Sequence, residues 1–109
     1  MNSNIVQLYN EKEHDDFIRK NNRSVIFFGS QACGHCRQIT PVVQKLANNT
    51  KNVVFGHVET NILDVVNLAG VPTFVMYYNQ EPIDMVIGAN ESALSQSVTN
   101  LAKPLPIMI

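Results

Sequence analysis

Residues 25–41 have the sequence VIFFGSQACGHCRQITP, and this stretch decides the fold. Its first four residues form a continuous apolar run, which is typical of a β-strand covered on both faces. Beyond the cysteines, apolar residues recur on one helical face and predict a helix that runs to about Asn48. These residues are Ile39, Val42, Val43, Leu46 and Ala47. Cys33 and Cys36 therefore lie where a buried strand passes into the first turn of a helix.

The flanking sequence predicts a small α/β fold with a mixed sheet, in the order β-α-β-α-β-α-β-β-α. Short apolar or β-branched runs predict the other strands over 5–9, 53–58, 73–78 and 83–87. Helical spacing predicts the other helices over 11–21, over 62–69 and beyond Asn90. Asn10 is suited to cap the first helix, with Glu13 three residues further on. The residues Asn79-Gln80-Glu81-Pro82 are predicted to form the loop of a hairpin.

Length and charge limit the possible functions. One domain spanning 1–109 fits a chain of 109 residues, and two domains do not. Eight Lys and Arg against nine Asp and Glu leave no positive excess, so neither a nucleic acid nor an anionic membrane is expected as a partner. No apolar stretch approaches the ~20 residues of a membrane span, and the first residues lack a secretory signal pattern. We therefore expect a soluble, cytoplasmic protein, whose apolar stretch 104–109 packs on the sheet or mediates self-association.

The Cys33-Gly34-His35-Cys36 motif is where chemistry is expected. A helix N-terminus favours an anion, and the thiolate is the nucleophile of disulfide exchange. Spacing of three residues on the first helical turn brings the second sulfur within reach of the first. Gly34 leaves the approach to Cys33 open. His35 is expected to stabilise the Cys33 thiolate, which makes the disulfide more oxidising.

Other interpretations of the two cysteines are less favoured. A zinc site needs two more ligands, and His14 and His57 belong to no second C-x-x-C or H-x-x-H element. A scaffold held by structural disulfides would use more cysteines at wider spacing. Inert packing of both thiols is the remaining alternative. We therefore predict a redox-active Cys33–Cys36 disulfide, with no metal and no further cofactor.

With these motifs in place, the chain resembles the thioredoxin family from about Ile5 to Ala102. The resemblance rests on the C-G-H-C motif, Pro41 in the following helix, Val71-Pro72-Thr73 at the start of a strand, and Gly88 after the last strand. C-G-H-C itself is typical of protein disulfide isomerase domains. The resemblance implies the thioredoxin fold, a mixed sheet flanked by helices.

The same resemblance implies roles for individual residues. Cys33 would be the attacking thiol, Cys36 the buried resolving thiol, and His35 a third catalytic residue. Pro72 would follow a cis peptide bond, and the backbone of Val71 would bind an extended substrate. The substrate-binding residues implied are Gly34, Val71, Pro72, Thr73, Gly88 and Ala89.

Three positions depart from the family pattern. Phe27 stands where the family has a buried acid that exchanges a proton with the resolving thiol, and Ala32 and Gly29 stand at aromatic positions. A phenylalanine cannot accept a proton, so we predict slow resolution of mixed disulfides unless Glu59 or His57 substitutes. Both residues are expected to face solvent at a strand end, and His14 to be a solvated helix residue.

These observations favour a thiol–disulfide oxidoreductase that exchanges its dithiol with protein disulfides. Net reduction in a cytoplasm, with a thioredoxin-reductase-like electron donor, is the expected direction. The alternative is a binding module of low turnover that holds a partner in the groove at Val71-Pro72. A glutathione-dependent activity fits less well, since no glutathione-binding residues can be assigned by motif.

Overall fold

The structure is a computed structural model, which describes residues 4–60 and 70–103. Its elements follow the predicted order wherever the chain is described. They are β1 (Ile5–Leu8), α1 (Glu11–Lys20), β2 (Arg23–Gly29), α2 (Gly34–Asn49), β3 (Val54–Glu59), β4 (Thr73–Tyr78), β5 (Glu81–Ile87) and α3 (Glu91–Ala102). The helix predicted over 62–69 and the apolar stretch 104–109 lie outside the described residues.

The sheet has the strand order β1-β3-β2-β4-β5. Strands β1 and β2 both pair with β3 in parallel, while β4 runs antiparallel to β2 and to β5. The central strand β2 is buried from Ser24 to Gly29, as its continuous apolar run predicts. The mixed sheet flanked by helices is confirmed.

Two apolar layers hold the helices against opposite faces of the sheet. On one face, Phe27 and Phe74 pack with the buried residues of α2 and α3. On the other face, Ile26 and Phe28 pack with Phe17 and Ile18 of α1. Alternate residues of β2 point to opposite faces, so this one strand supplies both layers. None of the helices in the described ranges combines the length and apolar character that a bilayer span requires.

The predicted cap at Asn10 is confirmed, and Asn90 caps the helix that the sequence predicts beyond it. The side chain of Asn10 accepts a hydrogen bond from the Glu13 amide at 2.8 Å, and Glu13 in turn accepts one from the Tyr9 amide at 2.8 Å. Asn90 accepts from the Ala93 amide at 3.0 Å. These bonds satisfy amide groups that the first turn of a helix leaves without a partner.

The hairpin loop is shorter than predicted. Asn79 and Gln80 alone form the turn, and both have positive φ angles, of 50° and 74°, as a type I′ turn requires. Pro82 lies within β5 and not in the loop. An edge strand accepts proline because one row of its amides makes no ladder hydrogen bonds, and the pairing is irregular at Met76/Tyr77 opposite it.

The expectation that His14 is solvated is wrong. His14 is only 7% exposed, because it shares one face of α1 with Phe17 and Ile18. Its Nδ1 lies 2.9 Å from a carboxylate oxygen of Asp15. Its Nε2 is buried with no hydrogen-bond partner among the described residues.

Candidate active site

Cys33 closes the N-terminus of α2. Its Sγ accepts a hydrogen bond from the Cys36 amide at 3.1 Å, so the sulfur is itself the helix cap. The Cys33 amide donates to the Ser30 carbonyl at 3.1 Å, which fixes the loop before the helix. Amide donors and the positive end of the helix dipole favour a sulfur anion at this position. The side chain of Cys33 is half-buried, so the sulfur that caps the helix is also accessible from outside.

Cys36 lies one turn further along α2 and is only 3% exposed. The pKa of the Cys36 thiol is raised to about 11, first by burial and then by the hydrogen bond with Cys33; the charges of Cys33 and Glu59 add to the rise, and a hydrogen bond with the Ser30 backbone opposes it. At neutral pH this thiol keeps its proton. It must lose that proton before it can attack a disulfide.

The residues between and after the cysteines are exposed. Among the described residues, a Cβ on Gly34 would meet nothing closer than the Arg37 guanidinium at 4.0 Å, so this part of the structure leaves the approach past Gly34 open. The His35 ring lies 3.4 Å from Gln38 Oε1 on the outer face of α2. Arg37 turns back and donates to the Gln31 carbonyl at 2.7 Å, which braces the loop and was not foreseen from the sequence.

Val71 and Pro72 form the opposite side of the groove, and the peptide bond between them is cis, as predicted. The Val71 carbonyl lies 3.8 Å from Cys33 Sγ. The Pro72 carbonyl accepts from the Gly88 amide at 2.7 Å, and Gly88 has a φ of 93° that favours glycine. The half-buried Ala89 follows and packs against the core. The fold thus brings segments 33, 71–72 and 88–89 together.

The side chain of Thr73 points into the protein, so only its backbone is left for the predicted contact with a substrate. Its side chain is buried, and its hydroxyl donates to the Gly70 carbonyl at 2.6 Å. The hydroxyl is used within the loop that leads to the cis proline. Its contribution to the groove is structural.

A small cavity of about 130 Å³ lies beside Cys36. Its wall includes Phe27, His57 and Glu59. The Phe27 ring stacks on Phe74 at 4.8 Å between ring centres and meets the His57 ring edge-on at 4.9 Å. An aromatic ring therefore fills the place of the family's buried acid.

His57 and Glu59 are half-buried in the wall of this cavity, so the expectation that both face open solvent is wrong. Burial lowers the pKa of His57, against the opposing charge of Glu59. His57 Nδ1 lies 2.8 Å from Gln7 Oε1, and Glu59 Oε2 accepts a hydrogen bond from the Gln31 amide at 2.9 Å. Gln7 and Gln31 carry no motif, so their part in the site could not be found from sequence.

In residues 4–60 and 70–103, no group of three or more His, Cys, Asp or Glu side chains could hold a metal ion. The described site contains two sulfurs, Cys33 Sγ and Cys36 Sγ. A capping, accessible thiol with a buried thiol one turn behind it, beside a cis-proline loop, defines the class of thiol–disulfide oxidoreductases.

Comparison with known proteins gives the family. The thioredoxin family model matches residues 5–100. The chain is 30% identical over 96 residues to thioredoxin 1 of Plasmodium falciparum, covering 84% of this chain and 92% of that protein. It is 31% identical over 100 residues to thioredoxin-3 of Dictyostelium discoideum, covering 88% and 95%. The crystal structure of oxidised mitochondrial thioredoxin 3 from Saccharomyces cerevisiae matches with a TM-score of 0.84 at 30% identity, covering 89% and 95%. The chain belongs to the thioredoxin family.

Proposed function

We propose that this oxidoreductase is a net reductant of protein disulfides in a cytoplasm, with Cys33 as the attacking thiol and Cys36 as the resolving thiol. One observation carries the assignment of the two thiols: the half-buried Cys33 caps α2 with its sulfur near the Val71 carbonyl, while Cys36 is buried one turn behind it. Because of this difference in exposure, Cys33 would attack the substrate disulfide and Cys36 would resolve the mixed disulfide that results.

The reaction proceeds through a mixed disulfide. The Cys33 thiolate attacks one sulfur of a substrate disulfide, and the other substrate sulfur leaves as a thiolate. Cys36 then loses its proton and attacks Cys33, which releases the second substrate thiolate and forms the Cys33–Cys36 disulfide. Two electrons pass from the protein to the substrate. A donor of the thioredoxin-reductase type would return them.

An extended substrate segment would bind along Val71, Pro72, Gly88 and Ala89, with Gly34 leaving the path to Cys33 clear. The Val71 backbone beside Cys33 supports this, because a main-chain group can bind a substrate whatever its side chains. The His35 ring contacts Gln38 and not the Cys33 sulfur, so any stabilisation of the Cys33 thiolate by His35 would act through space.

Turnover in insulin reduction tests the activity. Wild-type protein with a chemical reductant should cleave insulin disulfides, and Cys33→Ser should abolish this activity. The exposed Ser92, in the first turn of α3, offers a matched control as Ser92→Cys, which adds a thiol outside the site and should not restore activity to Cys33→Ser.

The direction of electron flow is tested by the reduction potential of the Cys33–Cys36 couple, measured in a defined glutathione buffer. A value well below about −200 mV, near the range of thioredoxins, supports a reductant. A value near about −120 mV, typical of strong oxidants, contradicts the proposed direction.

A binding module of low turnover is the second candidate. The observation that favours it is Phe27, which leaves Cys36, with its raised pKa, without the family's acid. In that case the wild-type protein would hold a partner in the groove at Val71-Pro72, and the mixed disulfide that Cys33 forms by attack on a partner disulfide would be resolved too slowly for insulin reduction.

A further inference from the structure

The sheet register places two acceptor groups on the same face as Cys36. In the parallel pairing of β2 with β3, Phe27 lies opposite His57 and Gly29 lies opposite Glu59. Alternate residues of a strand share a face, so all four lie on one face of the sheet. Phe27 belongs to the apolar layer that contains Cys36, which identifies this face.

Glu59 is the β3 residue nearer to the Cys36 sulfur, whereas His57 lies two residues earlier in β3, opposite Phe27. A Cβ on Gly29 would lie only 3.3 Å from Cys36 Sγ, so the thiol sits directly over Gly29. Glu59 is the neighbour of Gly29 across the strand pair. Because position 29 has no side chain, nothing from that residue separates the Glu59 strand from the thiol.

The Glu59 carboxylate is held in place through one of its two oxygens. Its Oε2 accepts from the Gln31 amide, in the loop that leads to Cys33. The cavity beside Cys36, of about 130 Å³, is also lined by polar Ser30 and Thr40. That volume exceeds the ~30 Å³ share of one water molecule in the liquid, and the lining offers the polar partners that such water needs.

We propose that Glu59, acting through water in this cavity, accepts the proton of Cys36 when the mixed disulfide is resolved. This inference rests on the proposed function and adds a residue to it. Glu59 thereby takes over the task that Phe27 cannot perform.

The step balances in atoms and electrons. The Cys36 proton passes to water, and a water proton passes to the Glu59 carboxylate. The Cys36 electron pair forms the bond to Cys33 Sγ, while the bond from Cys33 to the substrate sulfur breaks and the substrate leaves as a thiolate. Glu59 then returns its proton to solvent.

A merely electrostatic role for Glu59 predicts the opposite outcome from a proton acceptor, which makes the inference testable. The Glu59 charge raises the pKa of Cys36. If charge were its only effect, Glu59→Gln would lower that pKa, increase the thiolate fraction and speed resolution. Loss of a proton acceptor instead slows resolution, since acid–base catalysis typically contributes about 10²–10⁴-fold.

The experiment follows reduction of the disulfide of nitrothiobenzoate by the reduced protein in a stopped-flow instrument. Attack by Cys33 releases one coloured nitrothiobenzoate, and attack by Cys36 releases the second. The variants are Glu59→Gln, whose amide oxygen can still accept from the Gln31 amide, and Glu59→Asp, which keeps a carboxylate. Glu81→Gln is the matched control, because Glu81 is an exposed glutamate far from the active site. It pairs with Tyr78 at one end of β4, whereas the cis-proline loop leads into Thr73 at the other end.

We expect Glu59→Gln to slow the second phase on the order of 10²-fold near pH 7 while the first phase stays near the wild-type rate. The difference should narrow as the pH rises and Cys36 ionises unaided. Glu59→Asp should recover part of the rate, and Glu81→Gln should match the wild type.

One result would overturn the inference: a second phase in Glu59→Gln that is as fast as in the wild type or faster. Failure of the proposed function itself has a different signature. In that case the wild-type protein shows no second release or no insulin reduction, whatever residue occupies position 59.

Discussion

Replacing Gly29 by alanine is expected to destabilise the protein by about 1–3 kcal/mol, the usual cost of adding a methylene-sized group to a packed core. The new Cβ would lie 2.8 Å from Cε1 and 3.1 Å from Cζ of the Phe27 ring. Carbon atoms in good contact are about 3.5–4.0 Å apart, so the ring would have to withdraw by about 0.7 Å. That movement presses it against Phe74 and His57, with which it is already in contact.

Urea unfolding of the reduced protein measures this cost, with Gly70→Ala as the matched control. A Cβ at Gly70 would have no atom of residues 4–60 and 70–103 within 4 Å, so that variant should unfold near the wild-type midpoint. For a domain of about 100 residues, each kcal/mol lost in Gly29→Ala should lower Tm by about 4–8 °C.

A double-mutant cycle with Phe27→Leu identifies the clash. Leucine is shorter than phenylalanine, so Gly29→Ala should cost less in that background than in the wild type, with a coupling of about 0.5–3 kcal/mol. An equal cost in both backgrounds would refute the assignment of the clash to Phe27. The cost would then have to come from the Cys36 sulfur, at 3.3 Å.

Three further predictions concern the histidines. His35→Pro should make the Cys33–Cys36 couple more reducing, since it removes a group expected to stabilise the Cys33 thiolate. Equilibration with glutathione measures the change in reduction potential. An unchanged potential would show that His35 has no such role. Burial lowers the pKa of His57 in the folded protein, so the unfolded chain binds a proton at this residue more readily. The free energy of unfolding should therefore fall as the pH drops below about 6.5, until the lower pKa of the folded state is reached. Urea unfolding over a pH series should show a flatter dependence for His57→Gln, and an identical slope would contradict the reasoning. His14→Leu should raise stability by up to about 1–3 kcal/mol, because it removes a buried nitrogen without a hydrogen-bond partner in the described ranges; a lower Tm would contradict this.

Much of the fold could be predicted because its strongest signals are local. The apolar run in β2 and the helical spacing in α2 identify these elements without knowledge of the rest of the chain. Asn10 and Asn90 identify helix starts for the same reason. The loop of the hairpin was predicted too long because Pro82 suggests a turn in the sequence. Only the pairing of β5 shows that Pro82 lies in an edge strand.

The residues of the site, too, could be predicted only where their signal is local in the sequence. Cys33 and Cys36 could be found from their own spacing, and the loop at Val71 from a family resemblance. The positions of Glu59 and His57 depend on the register between β2 and β3, which spacing along the chain does not reveal. The inward hydrogen bond of the Thr73 hydroxyl depends on the loop conformation before β4 and could not be predicted either. That residues 1–109 form one domain stays a prediction.

Because Cys33 Sγ accepts a hydrogen bond from the Cys36 amide, the atom proposed to react is also the atom that caps the N-terminus of α2. An anionic sulfur accepts that bond more strongly than a sulfur bound in a disulfide. Reduction therefore tightens the first turn of α2, and oxidation loosens it. By linkage, any substitution that makes the turn more stable only in the dithiol form shifts the couple toward a stronger oxidant, whereas one that stabilises both forms equally leaves the potential where it was.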